Sequence, residues 1–310
     1  MDKNPQVAIL LSTYNGDKYL AEQLDSILNQ SYKNFIVVIR DDGSSDSTMQ
    51  QLLQYESNYP NYFHVLKKNE KNMGASASFS YLVDYVLHNK DQAGLASPYM
   101  MFCDQDDVWL ENKIETALSV MQKHEKGRNN IPILIHSDLS VVSASGEEIA
   151  ESFIRYQGLK VNRNRFSQLV LINLVTGCAA MINRALAEKS LPVHQDAIMH
   201  DWWFALIASA FGEIVFIDKP LIHYRQHGSN TIGAKKQSRS TPFSGRFISK
   251  LFRASPNKHL QDVAIQANAF SKTYTSSLNK KQKRTLKLAG RLNTSSVMLQ
   301  RVLCRILQIY

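Results

Sequence analysis

Two short apolar runs near the start of the chain constrain its fold more than any other feature. They are residues 7–11 (VAILL) and 35–39 (FIVVI), and both are too short for a helix of ordinary length. Between them, residues 19–28 carry apolar side chains at intervals of three and four, which is typical of a helix with one buried face. The order strand, helix, strand predicts a β-α-β unit within an α/β fold, with parallel strands buried on both faces.

Polar residues follow each predicted strand at the point where it ends. Tyr14 and Asn15 come after the first strand, and Asp41 and Asp42 come after the second. In open α/β sheets, ligands bind in the crevice outside the carboxyl ends of the strands. An aromatic ring and a carboxylate on neighbouring strand ends are suited to stack on a nucleobase and to accept its N–H.

A later apolar run, residues 99–103, changes abruptly into an acidic run, residues 104–107 (DQDD). Three carboxylates at one strand end repel one another unless a hard cation joins them. The acidic run therefore predicts a divalent metal ion together with a phosphate-bearing ligand. A solvated acidic turn is the alternative that these residues alone leave open.

Five motifs follow one another between residues 5 and 235. They are residues 11–16 (LSTYNG), 40–46 (RDDGSSD), 104–109 (DQDDVW), 200–203 (HDWW) and 224–230 (YRQHGSN). In type and order they resemble the motifs of the inverting glycosyltransferases of family 2. Within that family they are most similar to the bacterial rhamnosyltransferases of cell-wall and capsular polysaccharide assembly.

The resemblance implies a fold of the GT-A type, which is a Rossmann-like mixed sheet flanked by helices. It also implies a nucleoside diphosphate sugar as donor, together with Mg²⁺ or Mn²⁺. The catalytic domain is expected at residues 1–234, with a nucleotide-sugar half at about 1–110 and an acceptor half at about 111–234.

The resemblance further implies which residues bind the donor. Ser12 and Tyr14 are expected to line the base pocket, and Asp42 is expected to bind the base. Asp104 and Asp106 are expected at the ribose and the metal. The remaining donor-binding candidates are Asn15, Asn72, Gly74 and Arg225. For residues 72–74, a simple turn before a helix is the alternative.

The metal ligands implied by the resemblance are Asp106, Asp107 and His227, with Asp107 as the preferred direct ligand. His227 and Arg225 are expected on a loop that closes over the donor, where a positive charge would favour the diphosphate. The alternative for His227 is an exposed loop residue without a ligand.

Asp201 occupies the position of the family's catalytic base. A carboxylate is ionised at neutral pH and can take the proton of an attacking hydroxyl, a contribution of typically ~10²–10⁴-fold. Trp202 and Trp203 are expected to offer an apolar face to the acceptor sugar, near Thr176 and Gly177. The structural alternatives are a helix N-cap for Asp201 and a strand of small residues around Gly177.

The composition sets outer limits on the chain. Its 310 residues include three cysteines, Cys103, Cys178 and Cys304, without paired spacing. This pattern indicates a reducing compartment, with neither disulfides nor a zinc site. The sequence starts without the basic and apolar regions of a signal peptide, and it contains no apolar run of ~18 residues. We therefore expect a cytoplasmic protein without a transmembrane helix.

The net charge of +9 is concentrated in the C-terminal region. Residues 235–310 carry 16 Lys and Arg against one acid, whereas the first 234 residues carry 20 basic and 26 acidic residues. In this region, residues 243–253 and 297–307 alternate apolar and basic side chains in a helical rhythm. Basic amphipathic helices are suited to the surface of an anionic membrane. Packing on the catalytic domain or on another subunit is the alternative, and without a recognised module we expect no nucleic-acid binding.

These observations predict an inverting glycosyltransferase on the inner face of the cell membrane. The preferred donor is dTDP-β-L-rhamnose, and the expected acceptor is a glycan carried on a polyprenyl diphosphate in bacterial cell-surface polysaccharide biosynthesis. A UDP-sugar donor (Glc, Gal, Galf or HexNAc) and a catalytically silent scaffold are the alternatives. The sequence leaves the linkage position and the assembly into a homo-oligomer open.

Overall fold

The computed structural model describes residues 4–67, 72–89, 97–128, 130–228 and 257–309. The chain divides into two compact units. Unit 1 comprises Met1–Leu159, Val175–Val193 and Met199–Lys236, and unit 2 comprises Lys160–Leu174, His194–Ile198 and Gln237–Tyr310. Residues 160–174 and 194–198 therefore join the C-terminal region, although the sequence predicted that they belong to the acceptor half.

Unit 1 is built on a mixed sheet of nine strands. The strands are β1 (Val7–Thr13), β2 (Phe35–Asp41), β3 (Phe63–Val65), β4 (Tyr99–Cys103), β5 (Val108–Trp109), β6 (Ile133–Val142), β7 (Glu148–Ala150), β8 (Ala180–Asn183) and β9 (Glu213–Arg225). Their order is β3-β2-β1-β4-β8-β6-β9-β5, and β7 pairs with β6. The sheet is mixed because β8 lies antiparallel between β4 and β6.

The register of the parallel strands brings three strand ends to the same edge. β1 pairs in parallel with both β2 and β4. Thr13 lies opposite Asp41, and Leu11 lies opposite Cys103. The polar loops that follow these strands therefore start side by side, and the predicted β-α-β unit and mixed α/β fold are confirmed.

Seven helices of unit 1 lie in its described residues. They are α1 (Asp17–Leu28), α2 (Thr48–Asn58), α3 (Ala75–His88), α4 (Lys113–Glu125), α5 (Phe153–Gln157), α7 (Arg184–Ser190) and α8 (His200–Phe211). Successive strand residues point to opposite faces of the sheet. On one face, Ile9 and Leu11 of β1 belong to the same core as Leu20 and Leu24 of α1, while α3 packs against β1 and β2. Burial on both faces explains why these strands are continuously apolar.

Two local predictions differ from the structure. Residues 177–179 form a short 3₁₀ turn (Gly177–Ala179) rather than a strand, and β8 starts at Ala180. The cap position of α8 is Met199, so Asp201 lies inside the first turn of the helix rather than at its N-cap. A carboxylate in the first turn still interacts favourably with the helix dipole.

Unit 2 is helical in its described residues. Its helices are α6 (Phe166–Leu169), α9 (Lys258–Thr273), α10 (Lys280–Gly290) and α11 (Val297–Ile309). Asn279 and Gln282 form a capping box that starts α10, and Phe166 packs against Phe270 with ring centroids 5.6 Å apart. The predicted stripe at residues 243–253 lies outside the described residues. Among the helices that the structure describes, none is long and apolar enough to span a bilayer.

Candidate functional site

A cavity of about 470 Å³ opens in unit 1, beside the ends of β1, β2 and β4. Its size is typical of small-molecule sites. Ten of the predicted site residues line it: Ser12, Tyr14, Asp42, Asn72, Gly74, Asp104, Asp106, Thr176, Gly177 and Asp201. The fold therefore gathers residues from both predicted halves of the catalytic domain around one cavity.

Asp42 is held in the cavity wall by donors on several sides. Its Oδ1 accepts hydrogen bonds from the Arg40 guanidinium at 2.5 Å and from the Met73 N–H at 2.8 Å. Its Oδ2 accepts from the Gly74 N–H at 2.8 Å. Gly74 has φ +78°, a conformation that suits glycine. Residues 72–74 are thus a structured loop tied to the end of β2.

The Arg40 guanidinium extends the same network to the end of β1. It donates to Ser78 Oγ at 2.9 Å, and Ser78 Oγ lies 2.7 Å from Ser12 Oγ. Both Arg40 and Asp42 are almost fully buried. This buried ion pair has hydrogen-bond partners on both sides, which is the condition under which such a pair is tolerated in a protein interior.

Asn15 does not line the cavity but holds the neighbouring loop. It has a left-handed conformation (φ 47°), which asparagine tolerates better than most residues. Its N–H donates to Ser44 Oγ at 2.8 Å, and its Oδ1 accepts from the Ser45 N–H at 2.8 Å. Asn15 therefore positions the loop after β2 rather than the ligand.

Gln105 fixes the loop that follows β1, a role that the sequence did not indicate. Its Oε1 accepts from the Tyr14 N–H at 2.8 Å, and its Nε2 donates to the Tyr14 carbonyl at 3.1 Å. A Cβ at Gly16 would lie 2.3 Å from Gln105 Oε1, so a larger residue at that position would displace the Gln105 amide. The Tyr14 side chain remains 50% exposed at the cavity, where its ring is available for stacking.

The acidic run after β4 differs from Asp42 in its surroundings. Burial, reinforced by the negative charges of Asp106 and Asp201, raises the pKa of Asp104 to about 7. Asp106 Oδ2 lies 2.8 Å from Nε2 of His227, whose ring stands 4.9 Å from that of Tyr19. Asp106 lines the cavity and His227 does not, so the imidazole is connected to the cavity through its contact with Asp106.

Asp107 lies below the cavity rather than in its wall. Its side chain is fully buried, and Oδ1 accepts from the Arg225 N–H at 3.1 Å. Its Oδ2 is buried without a hydrogen-bond partner among the described residues. Burial, followed by the charges of Asp106 and Asp104, raises the pKa of Asp107 well above its ordinary value. Asp106 therefore lines the cavity, whereas Asp107 does not.

Arg225 is buried and holds the acidic run in place. Its guanidinium donates to the backbone carbonyls of Asp106 at 3.0 Å and Ala144 at 3.1 Å, and it pairs with Glu22. It is 4% exposed and does not line the cavity. The predicted contact between Arg225 and the diphosphate is therefore not what the structure shows, because the guanidinium is occupied by the protein.

Lys113 brings a positive charge beneath the acidic run. Its side chain is buried, and Nζ donates to the Cys178 carbonyl at 3.0 Å while lying 3.0 Å from the centre of the Trp109 ring. Burial lowers the pKa of Lys113 to about 7. Lys113 is therefore a weak counter-charge for the carboxylates above it.

Asp104, Asp107 and Cys178 each offer a ligand atom within 4.8 Å of the others. Burial raises the pKa of the Cys178 thiol well above its usual range, and a neutral thiol is a poor ligand. Mg²⁺ and Mn²⁺ prefer oxygen donors. The carboxylates of Asp104 and Asp107 fit such an ion, whereas the Cys178 thiol does not. One Asp107 oxygen is buried without a hydrogen-bond partner among the described residues, so a cation here would supply a missing partner.

Asp201 is oriented by two backbone donors at the start of α8. Its Oδ2 accepts from the Gly177 N–H at 3.0 Å, and its Oδ1 accepts from the Trp202 N–H at 2.6 Å. The carboxylate lines the cavity together with Thr176 and Gly177. Hydrogen bonds of this kind favour the ionised form, which is the form that can accept a proton.

Trp202 and Trp203 lie in the interior of unit 1 rather than at the cavity. They are 4% and 0% exposed, and the Trp203 indole N–H donates to the Ser190 carbonyl at 3.3 Å. A side chain buried in this way cannot offer a face to an acceptor sugar. Their place is explained by α8, which is buried along most of its length, so that its large apolar residues form core.

Seven residues that line the cavity were not among the predicted site residues: Thr13, Ala75, Phe79, Gln105, Met199, His200 and Tyr224. His200 is the first residue of the HDWW motif, and its position next to Asp201 indicates a site residue. Phe79 gave no signal, because an apolar residue on a helix face is expected in any core.

The chain is similar to a known family of proteins. The model of the family described as glycosyl transferase family 2 matches residues 8–191. A dTDP-rhamnosyl transferase of Shigella flexneri, RfbG, is 28% identical over 246 residues, which are 72% of this chain and 74% of that protein.

Two solved structures share the fold at low sequence identity. Residues 1–349 of Staphylococcus aureus TarS, in complex with UDP-GlcNAc, superpose with a TM-score of 0.55 at 14% identity over 97% of this chain and 90% of that one. The mannosyltransferase PcManGT of Pyrobaculum calidifontis, in complex with GDP-Man and Mn²⁺, superposes with a TM-score of 0.56 at 15% identity. The match covers 99% of this chain and 81% of that one. The fold is therefore of the GT-A type.

Proposed function

This chain belongs to glycosyl transferase family 2, and we propose that it is an inverting enzyme that moves L-rhamnose from dTDP-β-L-rhamnose to a lipid-linked glycan. The observation that carries the proposal is the arrangement around the cavity. Asp104 and Asp106 line it from the end of β4, and Asp201 lines it from the start of α8. Carboxylates for the donor and an oriented carboxylate for the acceptor thus share one space.

Asp201 is the proposed catalytic base. The acceptor hydroxyl oxygen forms a bond to the anomeric carbon while the bond from that carbon to the diphosphate oxygen breaks. Attack and departure are on opposite faces of the sugar, so the configuration inverts. The hydroxyl proton passes to Asp201, whose two backbone hydrogen bonds keep the carboxylate aimed, and the nucleoside diphosphate leaves with the electron pair.

Asp106 and His227 are the proposed ligands of Mg²⁺ or Mn²⁺, with Asp104 nearby. When bound, such an ion neutralises charge on the departing diphosphate. Asp107, the preferred ligand from the sequence, offers a buried oxygen without a hydrogen-bond partner among the described residues, and it also supports the loop. It holds the backbone of Arg225, and the Arg225 guanidinium holds the carbonyl of Asp106.

Ser12, Tyr14 and Asp42 are the proposed base-binding residues. The Tyr14 ring is exposed enough to stack on a base, and Asp42 lines the cavity with its oxygens already fixed. The name of the Shigella flexneri relative supports dTDP-rhamnose as the donor. The TarS and PcManGT complexes keep UDP- and GDP-sugars as the alternatives to be tested.

Helix α11 supports binding of unit 2 to an anionic membrane surface. One face of this helix, at Leu303 and Leu307, is buried. Another face exposes apolar side chains at intervals of three and four residues: Met298, Leu299, Val302, Ile306 and Ile309. Arg301 and Arg305 are exposed on the same helix. An exposed apolar face beside basic residues is suited to an interfacial helix, and such a surface would present a polyprenyl diphosphate-linked acceptor.

The test of the reaction is a transfer assay with the full chain. Purified enzyme is incubated with dTDP-β-L-rhamnose, UDP-glucose or UDP-GlcNAc, Mn²⁺ and a polyprenyl diphosphate-linked glycan, and product is measured by mass spectrometry. We expect transfer from dTDP-rhamnose, and we expect Asp201→Asn to reduce the rate by at least about 10²-fold while donor affinity changes less than about threefold.

The outcomes separate the alternatives. Transfer from a UDP-sugar alone would keep the family and change the donor. A near-normal rate in D201N would remove Asp201 as the base. Absence of transfer from every donor, with no nucleotide-dependent rise in melting temperature, would favour the silent scaffold.

The membrane proposal is tested separately by sedimentation with vesicles. We expect Val302→Asp with Ile306→Asp to reduce binding to vesicles containing phosphatidylglycerol, whereas Ile149→Asp, at an exposed apolar residue of unit 1, leaves binding unchanged. Equal binding of all three proteins would contradict a role for α11.

A further inference from the structure

The His200 imidazole is a buried polar group that the proposed reaction has not used. It forms part of the cavity wall at the first residue of α8 and is 3% exposed. Neither ring nitrogen has a hydrogen-bond partner among the described residues. Leaving a buried polar group unpaired is costly, so such a group in a cavity wall points to a partner that arrives with a ligand.

Aromatic neighbours fix the plane of this ring. Phe79 stacks on it with centroids 4.3 Å apart and an interplanar angle of 28°, and Phe102 meets it edge-on at 5.0 Å. Both of these contacts are apolar and neither satisfies a nitrogen. Burial lowers the pKa of His200 to about 3, so the ring is neutral at physiological pH. A neutral imidazole has one donor nitrogen and one acceptor nitrogen, which suits a hydroxyl group.

Gly177 places this imidazole next to the proposed base. A Cβ at Gly177 would lie 3.1 Å from Nε2 of His200 and 3.6 Å from Cβ of Asp201. The same glycine donates its N–H to Asp201 Oδ2. His200 Nε2 and the Asp201 carboxylate are therefore neighbours across one glycine.

We propose that His200 hydrogen-bonds a hydroxyl of the donor's sugar ring and thereby selects the sugar. The proposal rests on the glycosyltransferase function proposed above. The donor sugar is favoured over the acceptor because His200 shares the cavity wall with Asp104 and Asp106, the carboxylates proposed for the donor. A site built to bond a hydroxyl rejects an analogue that lacks it.

The test compares the affinity for a nucleotide sugar with the affinity for the nucleotide alone. A contact to the sugar changes only the first of these affinities. His200→Phe preserves an aromatic ring against Phe79 and removes both nitrogens. In calorimetry with Mn²⁺, we expect H200F to bind dTDP-β-L-rhamnose about tenfold more weakly than the unsubstituted chain, while its affinity for dTDP stays within twofold. His200→Gln, which retains a polar group near the Nε2 position, is expected to lose less affinity than H200F.

His136 provides a matched control. It is also a buried, neutral histidine of unit 1, because burial lowers its pKa to about 4, and its ring packs against Phe216 at 5.1 Å. It lies in β6 and does not line the cavity. We expect His136→Phe to leave the affinities for both dTDP and dTDP-rhamnose unchanged.

Several results would overturn the proposal. One is equal affinity of H200F and the unsubstituted chain for dTDP-rhamnose. Another is a loss of affinity for dTDP as large as that for dTDP-rhamnose. The third is a raised KM for the acceptor with unchanged affinity for the donor. If H200F does not fold, two other variants allow the same comparison of dTDP-rhamnose with dTDP. They are H200Q and Gly177→Ala, whose added methyl would lie 3.1 Å from Nε2. If the unsubstituted chain prefers UDP-GlcNAc, UDP-GlcNAc and UDP replace the dTDP pair. If it binds no nucleotide sugar, the proposed function itself fails.

Discussion

Two groups of aspartates stand at the ends of β2 and β4, the strands on either side of β1, and their surroundings differ. Asp42, after β2, receives hydrogen bonds from Arg40, Met73 and Gly74. Asp107, after β4, keeps one buried oxygen without a partner among the described residues. The pKa of Asp104 is raised to about 7 by burial and by its anionic neighbours.

The difference separates a carboxylate that shapes a pocket from one that needs a ligand. The group after β2 is complete without any added molecule, because each negative charge has donors nearby. The group after β4 is short of positive charge, and a buried Lys113 with a pKa lowered to about 7 compensates it weakly. We therefore expect substitutions in the first group to weaken the fold and substitutions in the second to weaken ligand binding.

The largest expected effect is in the first group. Arg40→Met leaves Asp42 buried without its cation, and removing one partner of a buried ion pair costs about 3–5 kcal/mol of unfolding free energy. Urea denaturation measures this loss. We expect the double variant R40M with Asp42→Asn to lose less than the sum of the single losses. A loss of unfolding free energy below ~1 kcal/mol in R40M would contradict the distinction between the two groups of aspartates.

The next effect is in the second group and concerns binding. Asp106→Asn removes a proposed metal ligand and is expected to weaken Mn²⁺-dependent binding of the nucleotide sugar by about 100-fold, or about 2.7 kcal/mol. The melting temperature without metal should not fall. The control is Asp218→Asn, which removes an exposed carboxylate of β9. Equal affinities in D106N and D218N would contradict the metal site.

The smallest effect has the opposite sign. Asp107→Asn replaces a buried carboxyl, whose pKa burial raises well above its ordinary value, by a neutral amide that retains an oxygen to accept the Arg225 N–H. We expect the unfolding free energy in EDTA to rise by about 1 kcal/mol, because the buried carboxylate has no compensating partner on Oδ2. Denaturation at pH 7.5 measures the change. A decrease would show that the acidic run is already stable in the absence of a cation.

The fold could be predicted largely from the sequence because its signals are local. Continuous apolar runs identified β1, β2 and β4, and the spacing of apolar residues identified α1. The antiparallel β8 explains why the sheet is mixed, and only the resemblance implied this. The grouping of residues 160–174 and 194–198 with the C-terminal helices depends on packing between distant segments, for which the sequence holds no short-range signal.

The cavity was predicted better than the roles of its neighbours. Residues at strand ends, such as Tyr14 and Asp106, are brought together by parallel pairing alone. Arg225 and Trp203 were assigned to ligands because of their type. In the structure, both side chains are buried and donate hydrogen bonds to backbone carbonyls. Residue type does not reveal which way a side chain points at the end of a strand or on a helix that is buried on most sides.

The position of Arg225 along the chain has a consequence for how the protein is made. Its guanidinium holds the Asp106 carbonyl across 119 residues of sequence and also pairs with Glu22. During synthesis, the acidic loop therefore leaves the ribosome long before the strand that secures it, and such distant pairings form late in folding. The nascent chain cannot complete the proposed donor site until β9 has been translated and has paired with β6.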